Sequence, residues 1–147
     1  MYMKQAPFIQ AQLKKVGIEV ELNVMDWAAY LAYCKAGKQD LYLNGWSNVT
    51  GDGEELLYPQ FFSGSINASN YSRYNKKEQD ALILKTRNTI DQKQRLQYLR
   101  DANITFTDDV AWVTMFNDIN TLVARKTVKG IEFEANGEFR LNKAYKE

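Results

Sequence analysis

The sequence predicts an α/β domain, on three observations. An amphipathic helix, a glycine and an alternating strand follow one another at the start of the chain. A second helix, a glycine and an apolar strand repeat that order. A loop rich in small residues then leaves the end of the second strand, the place where ligands usually sit in α/β folds. The length of 147 residues fits one domain. Hydrophobic residues at 45% and charged residues at 25% suit a globular domain, and the net charge of +1 gives no general pull toward nucleic acid or an acidic membrane surface. No stretch approaches the ~20 apolar residues of a membrane span.

Residues 4–16 carry Ala6, Ile9, Leu13 and Val16 on one helical face, with Pro7 tolerable only in the first turn. Gly17 ends this helix. Ile18, Val20, Leu22 and Val24 then alternate with polar residues as a half-buried strand. Asp26 is placed to cap a helix from about Trp27 to Ala36, which Gly37 stops. Residues 40–45 form the next strand.

The stretch from Trp46 to Gly53 organises the rest. Gly51 and Gly53 flank Asp52, among Ser47, Asn48, Val49 and Thr50. Small residues let a ligand approach the backbone, although a plain surface turn has the same composition. Residues 54–62 suit a short helix, and 63–65 and 67–71 read as loop. Helices are expected over 76–89 and 92–106. Asp91 is placed to cap the second, with Gln94 as capping-box partner and Leu99, Ala102 and Phe106 as buried stripe. Residues 119–125 and 128–134 are expected strands. The tail from Phe139 offers an edge strand at most.

Histidine is absent, which removes His-based catalysis and His metal sites. Cys34 is the one cysteine. In the apolar run Ala32-Tyr33-Cys34 it reads as a buried, inert thiol. Neither a cofactor nor a metal is expected. Asp108 and Asp109 read as a surface helix end rather than an acid–base pair. A hydrolase built on Asp52, Glu54 and Glu55 is disfavoured, because adjacent Glu54 and Glu55 point apart on a helix.

Several segments together resemble a known family. These are Gln12 to Leu22, then Gly45-Trp46, Thr50-Gly51-Asp52, Leu57, Pro59, Phe61-Phe62 and Ser63, then Asn70-Tyr71-Ser72-Arg73-Tyr74-Asn75 with Asp80 following, and Val128-Lys129-Gly130. Their order is similar to the second lobe of the extracytoplasmic solute-binding proteins of peptide ABC importers, family five. The glutathione and oligopeptide branch is nearer than the nickel branch. The Asp108-Asp109 segment resembles the family's too, with both of its prolines missing.

The resemblance implies the single lobe of a type II periplasmic-binding-protein fold, a central mixed sheet flanked by helices, over 1–147. It implies no reaction, but a wall that closes on a short peptide or glutathione-like solute. The partners implied are the missing first lobe and an ABC permease in the membrane, with no nucleic acid. Extracytoplasmic location follows for the full-length protein. No leader is visible at Met1-Tyr2-Met3-Lys4, so the chain reads as a fragment. The ligand-binding residues implied are Trp46, Ser47, Asn48, Val49, Thr50, Gly51, Asp52 and Trp27. For Trp27, a pocket role and core packing both stay open.

Peptide binders of the family often carry an Asp three residues after the tryptophan, for the peptide's amino terminus, and some carry a basic residue three before it. Here those positions hold Val49 and Leu43. Asp52 is the substitute counter-charge, with Ser47, Asn48 and Thr50 as donors and acceptors. Arg95, in a helix that matches the family only loosely, reads as a surface charge. The alternative function is a ligand-sensing lobe joined to a DNA-binding module elsewhere.

Overall fold

The computed structural model describes residues 2–134 and 136–147. Five helices come first in the chain: α1 (Tyr2–Lys15), α2 (Trp27–Lys35), α3 (Glu54–Phe61), α4 (Lys77–Asn88) and α5 (Gln92–Asp108). Four short strands follow: β1 (Val128–Lys129), β2 (Glu132–Phe133), β3 (Phe139–Arg140) and β4 (Tyr145–Lys146).

The cap and stop signals hold, but Pro7, expected in a first turn, lies deeper inside α1 because that helix starts at Tyr2. Asp26 accepts from the Ala29 N–H at 2.9 Å and Asp91 from the Gln94 N–H at 2.8 Å, so both caps satisfy amides that a helix start leaves open. Gly17 and Gly37 follow α1 and α2 at φ 82° and 65°, left-handed values that glycine adopts without a Cβ penalty.

The core lies among α3, α4 and α5. Phe61, fully buried, stacks on Phe106 with centroids 4.0 Å apart and meets the Trp112 ring edge-on at 5.0 Å. Leu57, Ile83 and Ala102 complete the buried cluster. Beside it, Asn70 is 1% exposed and fully bonded. Its amide N–H groups reach the Phe62 and Tyr74 carbonyls at 3.1 and 2.9 Å, and its oxygen accepts from the Ser72 hydroxyl and the Tyr74 N–H. The segment 67–71, loop by composition, and the residues that follow it to Tyr74 are thus wired from within. Asp80 accepts from both the N–H and the hydroxyl of Ser63, fixing the short 3₁₀ turn Ser63–Ser65.

Cys34 is buried as expected, and burial pushes its thiol up. Asp109 does end α5 at the surface. It also accepts from Tyr74 at 2.5 Å and pairs with Lys76 at 2.8 Å, tying that helix end to the chain before α4.

The strand readings fare differently. Residues 18–26, 42–48 and 112–125 carry no helix and join no ladder among the described residues. Alternation specifies which face a strand buries, not which neighbour supplies its hydrogen bonds. Ile18, Val24, Leu41, Val113, Ile119 and Val123 stay exposed accordingly. The expected strand 128–134 divides at Gly130, where φ is 74°. The tail forms two strands rather than one: β1 pairs antiparallel with β4, and β2 with β3. The α1 stripe is only half-buried at Ala6, Ile9 and Leu13, and Val16 is exposed. Among the described residues no helix is long and apolar enough to cross a membrane.

Asn70→Ala removes four hydrogen bonds and strands the Tyr74 carbonyl and N–H, while the Phe62 carbonyl keeps the Ser65 N–H. The expected cost is about 3 kcal/mol. Gln79, buried with neither amide atom partnered among the described residues, should respond oppositely: Gln79→Met is expected to be neutral or stabilising. Urea unfolding of the two variants measures the contrast.

Candidate functional site

The loop from Trp46 to Gly53 sits on the N-terminal end of α3, and Glu55 holds it. Pro59 lies within α3 and has no N–H to give the carbonyl four residues back. That carbonyl belongs to Glu55, and the Trp46 indole N–H donates to it at 3.0 Å. The carboxylate of Glu55 meanwhile accepts from the Val49 N–H at 3.2 Å, the Thr50 N–H at 2.8 Å and the Thr50 hydroxyl at 2.5 Å. One residue therefore grips both ends of the tryptophan-to-threonine segment. Within it, the Asn48 side chain accepts from the Gly51 N–H and donates to the Asp52 carbonyl. Gly51 turns the chain at φ 76°.

Asp52 is not a free counter-charge. Its carboxylate meets Arg95 at 2.8 and 2.9 Å and accepts from the Glu54 N–H at 2.9 Å. Arg95 also donates through Nε to the Thr86 carbonyl at 2.9 Å, and its side chain is only 20% exposed. It is a cross-link from α5 to the end of α4 and to the loop, not the surface charge the helix pattern suggested. The pattern misled because Asp52 lies 43 residues away in sequence.

The expected site residues from Trp46 to Asp52 come together. Of their side chains, Asn48 is spent within the loop, Thr50 on Glu55, and Asp52 on Arg95 and the Glu54 N–H. Trp46 is 41% exposed and Val49 57%, and the Ser47 hydroxyl makes no hydrogen bond among the described residues. These three face outward. Trp27 is not brought to them by any contact among the described residues. It is 61% exposed, so it is not core either, and its ring stacks on Tyr30 at 5.3 Å.

Two shallow clefts flank the loop. One, about 190 Å³, is lined by Asn48, Val49, Thr50 and Gly51 on one side and by Glu134 and Asn136 on the other. Sequence reading missed these last two, since the β2–β3 hairpin that carries Glu134 was not foreseen. The second, about 280 Å³, has leucines of α3 and α5 as its floor and Arg100 at its rim. Both fall below the ~300–1,000 Å³ of enclosed ligand pockets. Among the described residues no group of three or more His, Cys, Asp or Glu side chains is placed to hold a metal.

Electrostatically the loop is closed. The Arg95 hydrogen bonds hold the Asp52 carboxyl below its ordinary 3.8, and the Thr50 hydrogen bonds hold Glu55 below its ordinary 4.5. A carboxylate whose value is lowered by folding stabilises the fold above its unfolded value. That contribution is lost as pH falls through the lower folded value. The loop is therefore expected to open below about pH 4, seen as faster exchange of the Trp46 indole proton. Pro59→Ala tests the other grip at neutral pH. A restored helix N–H would compete for the Glu55 carbonyl, and the Trp46 indole should exchange faster and its fluorescence shift to the red.

Comparison with known proteins finds similar chains. Residues 1–68 match the family described as bacterial extracellular solute-binding proteins, family 5 Middle. A di/tripeptide-binding protein of Pseudomonas aeruginosa is 30% identical over 126 residues, 85% of this chain and 24% of that protein. The solved ABC transporter-associated periplasmic binding protein DppA of Helicobacter pylori, in complex with the peptide STSA, is similar with a TM-score of 0.71 and 31% identity. That match spans 75% of this chain and 22% of DppA. The dipeptide-binding protein of Pseudoalteromonas sp. SM9913, solved with Met-Leu, has a TM-score of 0.77 at 21% identity over 98% of this chain and 29% of its own, a likeness of fold. The chain spans about a quarter of the length of these proteins. Its fold is accordingly that of the type II periplasmic binding proteins, an α/β mixture of helix and strand. By sequence and by fold, the chain is similar to the bacterial extracellular solute-binding proteins of family 5.

Proposed function

We propose that this chain supplies one lobe of a binding site for a short peptide or glutathione-like solute, in an extracytoplasmic protein that delivers its ligand to an ABC permease. The observation that carries this reading is the pinned loop. Trp46, Val49 and Ser47 stand outward on a backbone fixed by Glu55, beside an open cleft. A fixed aromatic and neutral polar groups suit a ligand that is part amide and part apolar. Kinship with di/tripeptide-binding proteins supports the same class of ligand.

The half-open geometry fits a lobe. The chain exposes 10970 Å², where a compact monomer of 17.0 kDa would expose roughly 7,700 Å². The excess is on the scale of a large, obligate interface. A first lobe would cover part of it and supply the other wall of the cleft. Ligand contacts made only when two lobes close are what favour the closed state.

The Asp52 and Glu55 carboxyls are both held below their ordinary values, which disfavours either as a general acid.

Calorimetric titration of the intact protein with glutathione and with di- and tripeptides tests the proposal. Micromolar binding is expected, and Trp46→Ala is expected to weaken it by roughly tenfold or more. This chain alone, with one wall, should bind no tighter than about millimolar. Failure of every such ligand to bind the intact protein would sink the reading.

A further inference from the structure

We infer that Arg95 sets the charge character of this wall: by closing Asp52 into an ion pair, it leaves the loop to meet its ligand through Trp46 and neutral groups, with no counter-charge for a ligand ammonium. This rests on the binding-lobe reading above and names the kind of contact that the lobe withholds.

The guanidinium uses its whole fork. NH1 and NH2 meet the two Asp52 oxygens at 2.8 and 2.9 Å, and Nε meets the Thr86 carbonyl at 2.9 Å. Such a planar, two-point match is one that lysine or a ligand ammonium cannot reproduce. The arginine is anchored at the more buried end, with its side chain 20% exposed against 40% for Asp52. An approaching ammonium would have to displace it from a position that α4 and α5 hold in place.

The other carboxylates around the loop are also engaged. Glu55 is filled by the Val49 and Thr50 donors. Glu54 pairs with Arg87 at 3.4 Å. Across the smaller cleft, Glu134 pairs with Arg140. Val49, three residues after Trp46, is exposed and apolar and offers no charge either. Arg95 is thus a positioning residue. It acts on specificity through Asp52 and touches no ligand itself.

The test uses the intact protein and two probes, trialanine and N-acetyl-trialanine, titrated by calorimetry against wild type, Asp52→Asn, Arg95→Gln and Arg95→Lys. In Asp52→Asn the two affinities are expected to move together, within about threefold. In Arg95→Gln the released Asp52 should favour the free amine over the acetylated form by roughly tenfold relative to wild type. Arg95→Lys, which keeps a cation beside Asp52 but not the fork, should shift the ratio less than Arg95→Gln does. A purely structural role would weaken both probes alike and leave the ratio unmoved in every variant.

The inference is overturned if Asp52→Asn weakens trialanine about tenfold more than its acetylated form, or if a folded Arg95→Gln leaves the ratio at the wild-type value. Circular dichroism reports whether Arg95→Gln folds. Should it not fold, Arg95→Met, which also removes the guanidinium, takes its place and is read in the same way. If wild type binds neither probe, nor any of the ligands named above, the binding-lobe reading fails first and this inference falls with it. A wild type that binds while Asp52→Asn shifts the ratio refutes only the inference.

Discussion

The candidate site depends on a single glutamate. Glu55 presents a carboxylate to the Val49 and Thr50 amides and a carbonyl to the Trp46 indole. The carbonyl is available only because Pro59, one helical turn later, has no N–H to give it. A proline inside a helix ordinarily costs a hydrogen bond. Here the orphaned acceptor is met by a side chain from outside the helix, and the tryptophan gains a fixed orientation. Removing either partner would leave the loop held from one side.

That arrangement is rigid because α3 serves two environments at once. Its Phe61 and Leu57 lie in the core, against Phe106, Ile83 and Ala102. Its first turn carries the loop. Cations reach that turn from both neighbouring helices: Arg95 of α5 to Asp52, and Arg87 of α4 to Glu54, with the Arg87 guanidinium also 4.1 Å from the centroid of the Tyr58 ring. These are contacts of partly exposed groups, worth little singly. Their effect is geometric. The loop's position is tied to the packed helices, so a disturbance of the core would be felt at Trp46.

Much of this was legible in the sequence, and the reasons are local. Asp26 and Asp91 announced helix starts, Gly17 and Gly37 announced helix ends, and the stripe ending at Phe106 announced a buried face. Each signal acts within about four residues. The loop was marked by its glycines and its tryptophan. What could not be read was pairing at a distance. Arg95 looked like a surface charge because its partner lies 43 residues away. Glu134 and Asn136 were missed because only folding brings the β2–β3 region to the loop. Asp52 looked like a free carboxylate for the same reason. The expected strands failed as ladders because period-two alternation carries no information about the neighbour.

Those unladdered segments bear directly on the site. Residues 42–48 run straight into the loop and deliver Trp46. Two aromatic side chains tether the segment: Tyr30 donates to the Leu43 carbonyl at 3.0 Å, and the Trp112 indole donates to the Tyr42 hydroxyl at 2.9 Å. Among the described residues its backbone joins no ladder, so the entropy of ordering it is opposed by few bonds. A neighbouring strand that paired with it would remove that cost before any ligand arrived. Completing the sheet would then strengthen binding without touching the ligand, by fixing the approach to a loop whose far end Glu55 already holds.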